Sequence, residues 1–174
     1  MPLLIRPIRV EDYLDILRIN SEAARHVAKL DERELHRLVA LARVAWVAER
    51  TTGVCGYLLA MSNSDDYDGE EFCGFEQRLL QPFMYIDQIA IDFNLRRGGI
   101  ASQMYERLMR WSLEHNRFVL CCEVNLRPPN PTSMKFHEVL GFEPLGEMQT
   151  SDGRLVALFC KHLPRPNKTG EPAR

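Results

Sequence analysis

A chain of 174 residues with 45% apolar and 26% charged side chains is long enough for one sizeable core and too short for two typical domains. Its formal charge of -2 gives no general basic field, which argues against nucleic acid or an anionic membrane as a partner. Charges at Arg6, Arg9, Glu11 and Asp12 interrupt the start MPLLIRPIRVEDY before it could form a signal peptide or a membrane span, so a cytoplasmic location is expected. Five scattered cysteines, Cys55, Cys73, Cys121, Cys122 and Cys160, lack the paired spacing of zinc or redox sites and read as reduced thiols, mostly in the core.

Residues 3 to 9 are predicted as a short strand, followed by a helix over Glu11 to Asn20 with Tyr13, Leu14, Ile16 and Leu17 placed to face a core. Asp31 with Glu34 three residues on has the form of a capping box. Leu35, Leu38, Val39 and Ala42 give the helix behind it one apolar stripe for core packing. The runs Val44 to Glu49 and Val54 to Met61, joined by Thr51, Thr52 and Gly53, read as an antiparallel hairpin. A polar stretch from Ser62 to Gln81 precedes the run Phe83 to Ile91, a buried strand ending at Asp92.

Ile100, Met104, Leu108 and Trp111 then mark a helix over Ile100 to His115, and Phe118 to Val124 another strand. After the proline-rich turn Arg127 to Pro131, a short helix carries Met134, Phe136 and Leu140 up to Gly141, a natural helix-ending residue. Strands around Phe142 to Met148 and Arg154 to Lys161, with Ser151, Asp152 and Gly153 between them, close a domain expected over residues 1–163. Residues 164–174, PRPNKTGEPAR, hold three prolines and no apolar anchor, a composition expected to give a disordered tail.

The most informative segment is the loop Arg96, Arg97, Gly98, Gly99, Ile100, Ala101. A strand running into this loop and then a helix brings free backbone N–H groups and the positive helix end to one point. Gly98 and Gly99 remove Cβ atoms that would hinder close approach, and the arginines add attraction for a pyrophosphate. Taken alone, paired glycines before a helix often only make a tight turn. The loop lacks the GxGxxG of a dinucleotide fold and the Gly-Lys-Ser/Thr of a Walker loop.

Arg96, Gly99 and Ala101 match the R/Q-x-x-G-x-G/A pattern, after the fourth strand and at the start of a helix, and in this the chain resembles the GNAT superfamily of N-acetyltransferases. A second ordered motif strengthens the resemblance. Asn130, Pro131, Thr132, Ser133, Met134, Lys135, Phe136, His137 through Gly141 and Phe142 look like the family's Asn helix ending in aromatic-Tyr-x-x-x-Gly-Phe. The resemblance covers residues 3 to about 162. It implies an α/β fold, a mixed and mostly antiparallel sheet of about seven strands with helices on both faces, splayed between strands 4 and 5.

The same resemblance implies acetyl-CoA as cosubstrate, held by backbone groups of Ile89, Ala90 and Ile91, by Arg96 to Ser102, and by Asn130 and Ser133, with no metal and no covalent enzyme intermediate. It also implies direct transfer of the acetyl group to a small-molecule or peptide amine in a ternary complex. Glu123 falls where similar peptide N-terminal acetyltransferases keep a general base, once a two-residue extension at Pro128 and Pro129 is allowed. His137 stands at the position of the family's motif tyrosine, near the thioester sulfur, and so inherits a general-acid role. As residues by themselves, Glu123 is a strand carboxylate and His137 a packed or surface histidine.

Tyr85 and Asp87, on one face of the fourth strand by period-two alternation, are further base candidates facing the substrate. The acidic stretch 62–81, with Tyr67, Phe72 and Phe75 interleaved, reads either as a solvated loop or as a lid selecting cationic amines, with Tyr67 and Phe75 against the substrate. A homodimer is left open. The competing reading is a module that binds or senses acyl-CoA without turnover, prompted by the missing motif tyrosine.

Overall fold

The computed structural model describes residues 2–165; from residue 166 on, the expected tail lies outside the described residues. The described strands are β1 (Leu4–Pro7), β2 (Val44–Arg50), β3 (Gly53–Ser62), β4 (Met84–Ile91), β5 (Val119–Arg127), β6 (Glu143–Gln149) and β7 (Leu155–His162). They form one sheet in the order β1-β2-β3-β4-β5-β7-β6, antiparallel throughout except for the parallel pair β4–β5. Two apolar layers follow from the period-two alternation of the strands. One is covered by α1 (Tyr13–Ala23), α2 (Glu32–Leu41) and α3 (Glu70–Glu76), the other by α4 (Ile100–Glu114) and α5 (Pro131–Val139).

In α1 the buried stripe is Ile16, Ile19, Asn20 and Ala23, the i, i+3, i+4, i+7 pattern of one helical face. Leu14, expected to face the core, is 83% exposed, because residues two apart point to nearly opposite sides of a helix. At α2 only half of the expected capping box forms. Asp31 accepts from the Glu34 N–H at 2.8 Å, while the Glu34 side chain pairs with Arg37 at 2.7 Å.

The stretch 62–81 is neither a solvated loop nor wholly polar in role. It contains α3, whose Phe72 and Phe75 are buried. These rings pack with Phe83 and Tyr85 at centroid separations of 5.6–6.5 Å. Burial of two phenylalanines, worth roughly 1.5–3 kcal/mol each, fixes this insert against the first layer.

The site is created where β4 and β5 part. Their register contains only Met84↔Leu120 and Tyr85↔Cys121, so beyond Tyr85 the two strands diverge. A bulge in β4 lies at the same place, since Ala60 pairs with Ile86 and Leu59 with Gln88. It turns two successive residues to one side: Asp87 bonds Tyr67 and Gln88 bonds Tyr57 on the first layer, whereas Ile86 and Ile89 face the second.

Candidate functional site

β4 runs through a single turn at Phe93–Leu95, capped by Asp92 accepting from the Asn94 N–H at 2.9 Å, into Arg96. Arg97 (φ 62) and Gly99 (φ 74) are left-handed, and α4 begins at Ile100. The Gln103 N–H donates to the Gly99 carbonyl at 3.1 Å, so the N–H groups of Ile100, Ala101 and Ser102 precede the first bond of that ladder and point out of the helix end. A Cβ on Gly99 would meet nothing within 4 Å, so open space stands before these donors. The residues fit a bound pyrophosphate, with the positive φ as the second reason for glycine.

Arg96 donates from Nε to the Ile91 carbonyl at 3.2 Å and lies over the Phe93 ring, and Arg97 and Gly98 are exposed. The Ile100 side chain is buried in the second layer, so this residue can serve an anion only through its main chain. Ile89, Ala90 and Ile91 pair with Leu58, Tyr57 and Gly56 on their β3 side, while their β5 side faces the splay and suits an extended ligand arm. Asn130 caps α5 by accepting from the Ser133 N–H at 3.2 Å, and its own N–H donates to the Asn125 carbonyl at 3.0 Å. These bonds fix the end of β5 beside the splay.

His137 does not present a proton to a cleft. It is 3% exposed and packed against the rings of Phe136, Phe142 and Phe159. Its Nδ1 lies 2.8 Å from the Ser133 carbonyl oxygen, which can only accept, so Nδ1 carries the hydrogen. Nε2 is then the acceptor for the Tyr105 hydroxyl at 2.7 Å. Burial lowers the pKa of this imidazole. A neutral ring with both nitrogens engaged is a core residue, and the expected general-acid role of His137 is corrected accordingly.

The carboxylates lie on the other side of the sheet. Tyr85 and Cys121 form the last β4–β5 pair, and Asp87 and Glu123 lie two residues further along the diverging strands, on the same face. Glu123 Oε2 is buried without a hydrogen-bond partner. Burial, then the neighbouring Glu71 and Asp87, push the Glu123 carboxyl up to about 8. Asp87 accepts from the Tyr67 hydroxyl at 2.5 Å, and burial raises its pKa to about 6 against that bond. Tyr67 stacks on Tyr85 at 6.2 Å, and burial raises both phenols.

α3 covers this chamber. Glu71 bonds Arg154 Nη2 at 2.8 Å, and Arg154 reaches Asn125 on β5 at 3.3 Å. Glu70 accepts from both the N–H and the hydroxyl of Ser151 in the β6–β7 turn. Of the expected substrate residues, Tyr67, Tyr85 and Asp87 come together here. Phe75 does not: it is fully buried among Phe83 and Tyr85, a correction that follows from its inward position on α3.

Most carboxylates of the insert are engaged within the protein, Asp65 with Arg43 and Glu71 with Arg154. Glu71, Arg154 and Tyr105 carry no motif, and the bonds Tyr105–His137 and Arg154–Glu71 span 32 and 83 residues of sequence. A surface hollow of about 480 Å³, lined by Pro131, Thr132, Lys135, Phe136 and Val139, lies along α5 and includes none of these acids.

A helix start with free N–H groups on one layer, a splayed parallel strand pair, and half-buried acids on the other layer give the splay two chemically different sides. The sequence profile of the acetyltransferase (GNAT) family matches residues 10–142, and the chain belongs to that family. No curated protein matches the chain by sequence. Among solved structures, Ard1 from Thermoplasma volcanium is similar with a TM-score of 0.72 at 18% identity, covering 95% of this chain and 100% of its own.

The ribosomal-protein-S18-alanine N-acetyltransferase from Escherichia coli gives a TM-score of 0.71 at 14% identity, covering 96% and 97%. Salmonella typhimurium yncA, solved with its cofactor acetyl-CoA, gives 0.69 at 17%, covering 100% and 98%. At such identities the likeness concerns the fold, which is the expected mixed, mostly antiparallel sheet. No helix among the described residues is long and apolar enough to cross a membrane.

Proposed function

We propose that this protein transfers an acetyl group from acetyl-CoA to a primary amine by direct attack, with Glu123 as general base. The observation that carries the proposal is the buried, unpartnered Oε2 of Glu123 at the mouth of the β4–β5 splay, opposite a helix start suited to a pyrophosphate. Support comes also from the family, and from neighbours that are an S18-alanine N-acetyltransferase and a protein solved with acetyl-CoA.

Acetyl-CoA supplies the activated acyl thioester. The free N–H groups of Ile100, Ala101 and Ser102 and the Arg96–Gly99 loop bind its pyrophosphate, and the open β5 side of Ile89–Ile91 holds its arm. Glu123, as carboxylate, accepts the proton that the amine nitrogen loses as the N–C bond forms. The carboxylic acid so produced returns that proton to the sulfur as the C–S bond breaks. One residue with a pKa near 8 can serve both transfers close to neutral pH, which removes the need for an acid at the motif-tyrosine position. Tyr67 and α3 exclude water from the acceptor side.

Calorimetric titration with acetyl-CoA, followed by assay of free thiol released with a panel of amines, tests the proposal. Saturable binding and amine-dependent thiol release are expected. Binding without release from any amine would favour a module that senses acyl-CoA, and absence of binding would overturn the proposal.

A further inference from the structure

The proposed reaction needs one base, yet the mouth of the splay carries two carboxylates. Asp87 and Glu123 lie at equivalent distances beyond the last β4–β5 pair, on the same face. Among the described residues neither has an ion-pair partner. The third acid of the chamber, Glu71, is paired with Arg154, which also holds Asp152. Arg37, whose charge is felt at Asp87, is held by Glu34.

Tyr67 occupies Oδ1 of Asp87, and Oδ2 takes no hydrogen bond from the described residues. Glu123 Oε2 is a second, independent observation, since this oxygen is buried and unpartnered. Half-buried carboxylates without cations are costly to ionise, so a chamber retaining two of them is suited to positive charge arriving from outside. Its walls limit what can arrive. The Tyr67 ring lies on Tyr85, and Glu70 and Glu71 tie α3 to Ser151 and Arg154 across the opening.

We infer that the acceptor is a small primary amine bearing a second cationic group, which Asp87 receives through Oδ2 while Glu123 faces the reacting nitrogen. The inference rests on the proposed reaction and adds a specificity-determining residue to it. A charge-assisted bond in such a site corresponds to a preference of roughly 10- to 150-fold over an amine lacking the second charge.

The test compares 1,4-diaminobutane with butylamine, of equal carbon length, in two measurements. The first is kcat/KM from thiol release with acetyl-CoA, for the wild type, Asp87→Asn and Asp87→Glu. The second is equilibrium binding of each amine to the wild-type protein saturated with CoA, which needs neither turnover nor a folded variant. Expected are a wild-type preference for the diamine of at least about 10-fold in both measurements, beyond the twofold statistical factor, its collapse in Asp87→Asn, and partial recovery in Asp87→Glu. Equal binding of the two amines, or a preference that survives in Asp87→Asn, would overturn the inference. Failure of the underlying reaction is distinct: neither amine would release thiol although acetyl-CoA binds, and the binding ratio would still decide whether the site prefers a second positive charge.

Discussion

The two sides of the β4–β5 splay are built from different materials. On the α4 side, residues 96–102 offer main-chain N–H groups in front of open space, with arginines exposed to solvent. On the α3 side, Tyr67, Asp87, Glu71, Glu123 and Arg154 offer side chains that depend on burial and on one another. The first kind of site needs a particular backbone path and tolerates most side chains. The second needs particular side chains and loses its chemistry when one of them changes, because the low dielectric that sets the carboxyl pKa values is made jointly.

Substitutions sharpen that contrast. The largest effect is expected at Glu123→Gln, which should lower kcat by roughly 10²- to 10⁴-fold while acetyl-CoA affinity by calorimetry stays unchanged. In the wild type, kcat/KM should rise with pH up to about 8, and this limb should vanish in Glu123→Gln. Stability should move the opposite way. The folded pKa is raised from an ordinary 4.5 to about 8, so the folded state holds the extra proton in that window and loses stability as pH climbs through it. Denaturant unfolding at pH 8.5 should therefore find Glu123→Gln more stable than the wild type; a less stable variant would mean that Glu123 has a partner in the fold.

Gly99→Glu, on the other side, should weaken acetyl-CoA binding by about 100-fold or more, since it sets a carboxylate against the pyrophosphate and places a side chain at positive φ. The folded state should survive, because a Cβ there meets no neighbour. Retained affinity would remove the loop from the cofactor site.

His137→Phe should cost about 1–3 kcal/mol of stability by leaving the buried Tyr105 hydroxyl without its acceptor, with kcat reduced less than about 10-fold, below the roughly 10²- to 10⁴-fold that losing a general acid entails. A larger loss of kcat in folded protein would restore a proton-donor role to this histidine. The smallest effect belongs to Glu70→Ala, which removes exposed bonds to Ser151. It should raise KM for the amine a few-fold, leave acetyl-CoA affinity untouched, and cost at most about 1 kcal/mol in thermal unfolding.

Apart from α3, the element order was legible in the sequence, as were the loop 96–101 and the Asn130 cap, because each is local. A strand, a positive-φ glycine and a helix start lie within a few residues, and Asn130 caps the helix that follows it. The identity of Glu123 as a candidate was legible only through the family resemblance. Its orphaned oxygen was not, since burial there depends on where β4 and β5 part.

For His137, position in the motif suggested chemistry; the Ser133 carbonyl one turn back fixes the hydrogen on Nδ1, but the burial of the ring and the partner of Nε2 were set by Phe159 and Tyr105, far away in sequence. The stretch 62–81 misled in the other direction. Its composition is polar, while the spacing of Phe72 and Phe75 puts both rings on the inner side of one short helix.

By itself, then, the sequence determined the strand and helix order outside α3 and the glycine turn that opens α4, since hydrophobic period, caps and glycine conformation act over a few neighbouring residues. The tertiary structure alone decided which carboxylate oxygen is buried without a partner, which hydroxyl the histidine ring accepts from, and which aromatic rings are walls or core. Those properties come from groups brought together over 20 to 83 residues of chain. Desolvation and hydrogen-bond complementarity act only on groups that the fold has already made neighbours.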